Sequence, residues 1–283
     1  MYNNEKGGEG VSERLKDLFL REGIEFFSVL NFEKMKIANQ RLASSIGFTP
    51  RSVIVFLVPY FVDVPENISV YAASYDYHIV IKDISSRLTS EFKKLFPEGA
   101  FSSFTDHSPI DERYAAVRGG LGIFGDNGVI INEKYGSFVF LADIITDLDP
   151  SVLGGDVFFD IKGCEGCGRC KAVCPTGILR GQSDKCLSEI TQRKGELSEE
   201  ELSLMRKCDT VWGCDACQLA CPHNANPKAT PVLAFYENRI KRLTEEYLDS
   251  LGEEEFKKRA FSWRGRGVLK RNLENERKKT LKL

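Results

Sequence analysis

All nine cysteines of this 283-residue chain fall between Cys164 and Cys221, and the first 163 residues contain none. That clustering constrains the fold more than any other feature. Cys164, Cys167, Cys170 and Cys174 precede Pro175 in a C-x2-C-x2-C-x3-C-P run, the spacing of bacterial ferredoxins. Three thiolates two residues apart can wrap three corners of one iron–sulfur cubane. The fourth, displaced by a longer gap and turned by proline, points away toward a second cubane. Gly163, Gly166 and Gly168 let the backbone bend close to the cluster. The second run is Cys214, Cys217 and Cys221, followed by Pro222. Two [4Fe–4S] clusters need eight thiolates. One set is Cys164, Cys167, Cys170 and Cys221. The other is Cys174, Cys214 and Cys217 with either Cys186 or Cys208, which lie between the runs. Paired C-x2-C units also suit zinc, but two runs each closed by proline suit cubanes better. Disulfides are a poor fit, since nine is odd and a secreted scaffold would be short and spread its cysteines.

Hydrophobic residues make up 42% of the chain, enough for a packed core. The longest apolar runs, such as Ser52 to Tyr60, are too short to span a bilayer. The N-terminal stretch MYNNEKGGEG has no apolar signal-peptide core, so a cytoplasmic location with no membrane contact is expected. Charge is uneven: the stretch from Lys257 to Leu283 carries eleven Lys/Arg against two Glu, on an otherwise acidic body. Such a tail can meet phosphates, or be an ordinary solvated helix with a frayed end.

Apolar periodicity predicts helices over Val11–Glu22, Phe32–Ile46, Tyr77–Phe96 and Pro109–Arg118. Strands are expected over Glu25–Leu30, Arg51–Tyr60 and Phe101–Thr105, and a hairpin from Gly128–Asn132 and Gly136–Ile145. This alternation favours an α/β sandwich for residues 1–155, followed by a ferredoxin-like double-cluster module at 156–230 and C-terminal helices with the basic tail at 231–283. A ferredoxin needs no such partner domain, so the N-terminal part should hold whatever receives the electrons. Gly120, Gly122 and Gly125 spell G-x-G-x-x-G, but they follow a helix and precede a strand, the reverse of a dinucleotide loop. Asp76-Tyr77-His78 opens the long helix. Asp76 reads as its N-cap, and Ile81 replaces the glycine of the D-x-H-x-x-G pattern of cobalamin-ligating histidines. Asp106, at the end of an apolar strand and facing a loop, is a candidate general acid.

Taken in order, PRSVIVFLVPYF, YAASYDYH, TDHSPIDERYAAVRGGLGIFGDNGVIIN, GSFVFLADIITDL, CEGCGRCKAVCPTGIL, KCLSEIT, WGCDACQLACPHN and RGVLKRN resemble the cobalamin-dependent epoxyqueuosine reductases, over roughly residues 11 to 272. The resemblance implies a short form without the C-terminal helical-repeat domain of longer members. Its fold would be α+β or α/β, with a nitroreductase-like or pseudo-Rossmann N-terminal domain holding cobalamin. The implied activity is reduction of epoxyqueuosine to queuosine in the anticodon loop of tRNA. By position Asp106 matches the family's acid. Tyr71, Ser108, Gly122, Gly125 and Asn127 match its cobalamin loops, and Cys186 matches the isolated cysteine completing the second cluster, leaving Cys208 spare. The implied partners are tRNA and an external low-potential electron donor such as ferredoxin or flavodoxin, with the chain acting as a monomer. Two other functions suit the same residues: a cobalamin-dependent reductase of another small molecule, akin to reductive dehalogenases, and a plain iron–sulfur electron carrier.

Overall fold

The computed structural model describes residues 4–280. Helix α1 (Asn4–Arg21) leads into β1 (Phe27–Asn31), followed by α2 (Gln40–Ser45), β2 (Ser52–Pro59), α3 (Tyr77–Leu95), β3 (Phe101–Thr105) and α4 (Glu112–Arg118). Next come β4 (Ile123–Phe124), β5 (Ile130–Ile131) and β6 (Val139–Thr146). From the first cysteine run onward the regular elements are helical: α5 (Arg169–Val173), α6 (Leu187–Gln192), α7 (Glu199–Lys207), α8 (Ala216–Leu219), α9 (Glu245–Ser250), α10 (Glu253–Lys257) and α11 (Arg266–Thr280).

The main sheet has the order β1-β2-β6-β3 and is antiparallel throughout. Of the two classes left open by the sequence, α+β therefore describes it. β2 is buried along its whole length, because both faces of the sheet are covered. Ile54, Phe56 and Val58 turn to the side of α1 and α3, and Val53, Val55 and Leu57 to the side of α4. A strand buried on both faces reads as a continuous apolar run, which is why SVIVFLVP stood out in the sequence. A further apolar core joins Ile68, Ala72 and Ala73 to Trp212 and to the C-terminal helices through Leu248, Phe261, Leu269 and Leu273.

Two expected elements differ. The helix over Phe32–Ile46 is a short 3-10 turn (Phe32–Lys34) and a separate α2. Asn31 and Asn39 accept hydrogen bonds from the N–H groups of Glu33 and Leu42, so each asparagine caps a new start. Between them, Ala38 and Asn39 donate to the Pro109 carbonyl, a tertiary tie that ends any continuous helix. The hairpin from Gly128–Asn132 and Gly136–Ile145 does not form. β5 pairs with β4, and β6 inserts between β2 and β3. Asn132 redirects the chain: its Oδ1 accepts from Lys134 and Tyr135, leaving a single bridge from Asn132 to Gly136. α4 also begins two residues after Ile110, capped by Asp111 on the Tyr114 N–H. Among the described residues, no helix is long and apolar enough to cross a membrane.

The described part of the basic tail is largely helical, most of it in α11. α11 packs on α6, α7 and α9, and its Val268, Leu269 and Leu273 join the core that holds Leu248 of α9. Several of its cations are engaged within the chain: Arg266 donates to the Leu248 and Leu251 carbonyls, Arg271 to those of Arg193 and Gly195, and Arg277 pairs with Glu245.

Candidate functional site

Cys164, Cys167, Cys170 and Cys221 line one small cavity, closed by Gly168, Pro222 and His223. Gly166 and Gly168 take positive φ (66° and 75°), which carries the chain around this cavity before α5 begins. The residues present fit one cubane: four thiols face a shared space, and the Asp126 N–H points at Cys164 Sγ at 3.4 Å. Asp126 itself forms a 2.6 Å ion pair with Lys171, inside the first cysteine run.

The second group is more deeply set. Burial pushes the Cys214 thiol up to about 12 and the Cys217 thiol up to about 11, and each lies within electrostatic reach of Cys186. A metal that takes these thiols as thiolates removes that penalty. The Asn127 amide points at Cys217. Cys174 caps the C-terminal end of α5, which packs on α8, and its neighbours Val173 and Pro175 line a cavity together with Cys214. Its thiol is buried, yet the N–H groups of Leu179, Gly177 and Thr176 and the Thr176 hydroxyl hold it below the ordinary thiol range. Cys208, at the C-terminal cap of α7, borders that same cavity, but the charges that act on it are Asp209 and Lys207. Among the described residues, no three His, Cys, Asp or Glu side chains converge as a single metal ion requires. The thiols are instead spread around their cavities.

Asp106 follows β3 in a left-handed conformation (φ 57°) unusual for a residue with a side chain. Its carboxylate lines two cavities at once. The larger, about 630 Å³, is walled by Tyr60, Tyr71, Tyr77, Phe140 and Trp263. The smaller, about 430 Å³, includes Ser108, Glu112, Val139 and Leu141. The Tyr77 hydroxyl donates to Asp106. His78 Nδ1 sits 2.8 Å from Asp76 Oδ1, and its Nε2 lies 3.6 Å from Asp106 Oδ2. The Asp76 hydrogen bond raises the His78 pKa above its ordinary value, against partial burial and with help from the Asp76 and Asp106 charges. Asp76 is also the N-cap of α3, as its position in the sequence suggests. The larger cavity adjoins the cysteine module: Gln218 of α8, next to Cys217, donates to the Tyr60 hydroxyl at 3.3 Å.

The structure therefore brings together only part of the sequence-derived cofactor set. Tyr71 lines the larger cavity, its hydroxyl accepting from the Trp212 indole at 2.9 Å. Ser108 lines the smaller. Asn127 lies on the first cysteine cavity. Gly122 and Gly125 line neither cavity beside Asp106. A Cβ on Gly122 would stand 2.6 Å from the Ile131 carbonyl oxygen, and one on Gly125 would stand 2.5 Å from Asn127 Oδ1, so both glycines serve the tight β4–β5 turn. Sequence reasoning met Tyr77 and His78 only in an incomplete cobalamin pattern and passed over Glu112 and Asp143. Asp143 carried a signal: it is a lone acid inside the apolar run FVFLADIIT.

Residues 163–224 match the family model of the 4Fe-4S double cluster binding domain. The epoxyqueuosine reductase of Leadbetterella byssophila is 32% identical over 235 residues, covering 79% of this chain and 76% of the relative. The chain belongs to the epoxyqueuosine reductase family. The solved epoxyqueuosine reductase of Streptococcus thermophilus shares the fold, with a TM-score of 0.75 at 24% identity over 96% of this chain and 82% of that one. A crystal structure of an epoxyqueuosine reductase with a tRNA-Tyr epoxyqueuosine-modified stem loop matches at a TM-score of 0.74 and 22% identity, over 97% and 81% of the two chains. Against other curated members of the epoxyqueuosine reductase family the chain spans about half of the relative's length, 53 to 57%.

Proposed function

We propose that the chain is a cobalamin-dependent iron–sulfur reductase that converts epoxyqueuosine to queuosine in the anticodon loop of tRNA. The observation that carries this reading is the position of Asp106. It borders a large aromatic-walled cavity that Tyr60 also lines, and the Tyr60 hydroxyl is hydrogen-bonded to Gln218 of α8, next to Cys217. Family membership supplies the reaction class, and the tRNA stem loop bound by the structural relative supports the substrate. The finer assignments belong to the same proposal. One cluster takes Cys164, Cys167, Cys170 and Cys221. The other takes Cys174, Cys186, Cys214 and Cys217, with Cys208 spare. A nitroreductase-like domain over residues 1–155 holds cobalamin, and residues 156–230 and 231–283 form the cluster module and the C-terminal helices. The chain acts as a cytoplasmic monomer fed by a ferredoxin or flavodoxin.

The larger cavity suits a broad ring system, because Tyr71, Tyr77, Phe140 and Trp263 offer apolar faces while the Tyr71 and Tyr77 hydroxyls are engaged by Trp212 and Asp106. Cobalamin, when bound there, supplies a cobalt centre that passes low-potential electrons to a carbon–oxygen bond. The chain's own residues handle orientation and protons. Asp106 gives a proton to the epoxide oxygen as its bond to carbon breaks, which neutralises developing negative charge. The Tyr77 hydroxyl and His78, itself oriented by Asp76, hold the Asp106 carboxyl toward the cavity. Trp263 at the rim is 58% exposed and carries Arg264 stacked 3.7 Å from its ring, a face on which a nucleobase can lie.

The test is Asp106→Asn in anaerobically reconstituted protein. Iron content and the corrin absorption spectrum stay at wild-type levels, while turnover of epoxyqueuosine-containing RNA falls by roughly 10²–10⁴-fold. Wild-type turnover in the variant removes Asp106 as the acid. A wild-type protein that takes up cobalamin yet leaves the RNA unchanged points instead to another small-molecule substrate.

A further inference from the structure

Reducing an epoxide to an alkene consumes two electrons and two protons and releases water. Asp106 can deliver one proton before it must be recharged, so a second source is needed within reach. The smaller cavity ends on one. Asp143 lies in the middle of β6, opposite Val55 of β2 and Phe104 of β3. It shares a sheet face with Val139 and Leu141, which line that cavity, so its carboxyl points behind the cavity wall. The residue is fully buried, and among the described residues the Ser108 hydroxyl is the side-chain donor near its carboxyl, with no hydrogen bond of ordinary geometry to either oxygen. Across from it, Glu112 opens α4 and lines the cavity with Asp106. Glu112 Oε1 is buried without a partner, and its carboxyl accepts the backbone N–H of Asp106.

The elements packed on this pair bring it little compensating charge. β2 and β3 present Val55 and Phe104. On α4, Arg113 is turned to the Gly128 carbonyl, and Asp111 adds a negative charge that Lys36 meets at 3.7 Å. β4 and β5 contribute Ile123, Phe124, Ile130 and Ile131. Ser108, on the loop after Asp106, partly offsets the burial of Asp143. Burial pushes both carboxyls above the ordinary range, and Glu112 is raised further by the charges of Asp143, Asp106 and Asp111. Two such groups in an apolar setting cannot both be ionised.

We propose that Glu112 and Asp143 share a proton behind the wall of the smaller cavity and pass it to Asp106 after each proton transfer. Asp106 loses its proton to the leaving oxygen and becomes a carboxylate. The pair then gives its proton to Asp106 and regains one from water in the smaller, open cavity. Glu112 and Asp143 touch no substrate and act through Asp106. This role rests on the proposed epoxide reduction, so two of the three measurements need neither substrate nor cobalamin.

Infrared spectroscopy of the full-length, cluster-loaded protein at neutral pH shows a protonated-carboxyl stretch that shifts in D₂O and is absent from the Glu112→Gln/Asp143→Asn double variant. Its absence from the wild type overturns the shared proton. In Asp106→Asn the pH midpoint of that band moves down, because a neighbouring negative charge is gone. An unmoved midpoint overturns the link to Asp106. In turnover of epoxyqueuosine RNA, Glu112→Gln lowers kcat by about ten- to a hundredfold, leaves KM unchanged and alters the pH profile. Wild-type kcat and profile overturn the relay. Glu112 lies at a helix start, so Glu112→Gln alone carries the test if the Asp143→Asn chain does not fold. A wild type inactive on any epoxide ends the proposed reaction, while the two infrared measurements still decide the proton pair.

Discussion

Asn224, three residues after Cys221, ties the cysteine module to the sheet domain. It is 6% exposed. Its Oδ1 accepts from the Ser137 N–H at 2.8 Å, and its Nδ2 donates to Ser137 Oγ at 2.7 Å and to the Gln218 carbonyl at 2.8 Å. Asn224→Ala deletes all three and leaves the buried Ser137 N–H without that acceptor. Each bond contributes about 1 kcal/mol net, and a stranded buried donor adds about 1 kcal/mol or more. The expected loss is therefore about 3–4 kcal/mol, a large share of a stability on the order of 5–15 kcal/mol. Denaturant unfolding of the anaerobically prepared protein, followed through the buried Trp212, measures it, and iron counting shows whether both clusters are kept. The same geometry makes a second demand. A Cβ on Gly136 would lie 1.9 Å from Asn224 Oδ1, and Gly136 has φ 58°. Gly136→Ala in the wild type must displace Asn224. In the Asn224→Ala background only the backbone strain of about 1 kcal/mol and a tight approach to the His223 carbonyl remain. The two substitutions should be less than additive by at least about 1 kcal/mol. An Asn224→Ala loss below about 1 kcal/mol, or strict additivity with Gly136→Ala, would refute the reasoning, since water would then be replacing the amide.

The cysteine assignments separate cleanly: Cys208→Ser keeps the wild-type iron content, whereas Cys186→Ser loses up to one cluster's iron. Equal losses in both would return Cys208 to the ligand set. The His78 ring titrates above its ordinary value of about 6.5, and in Asp76→Asn the midpoint falls back; NMR of the ring protons reads both. Because the folded-state pKa is raised, the stability contributed by His78 is fully present below the unfolded pKa and is lost as pH rises through the folded one. A wild-type midpoint at or below the ordinary value would show that the Asp76 contact does not form in solution. Breaking the Lys171–Asp126 pair with Lys171→Gln leaves Asp126 uncompensated beside Cys164 and lowers the potential of the first cluster, read by EPR-monitored redox titration. An unchanged potential would place that pair outside the cluster's field.

Local chemistry made the cysteine runs, the α3 cap at Asp76 and the doubly buried β2 legible in the linear sequence. Metal-ligand spacing, capping and apolar runs depend on residues close together in the chain, and so did the choice of Asp106 as an acid at a strand end. The path of the chain after Gly128 depended on long-range pairing instead. β6 leaves its neighbour to fill the slot between β2 and β3, because only an apolar strand can sit with both faces covered. Likewise, Asn39 and the Pro109 carbonyl broke a helix that periodicity alone supported. The site is a tertiary product in the same sense. Tyr77 and His78 reach Asp106 across about thirty residues, and Glu112 comes within electrostatic reach of Asp143 only because α4 packs on β6. The sequence by itself determined which residue types were available for cluster binding and acid chemistry. Only the folded chain decided which carboxyls lose their water, and with it which ones must share a proton, because desolvation belongs to a place in three dimensions rather than to a position in the chain.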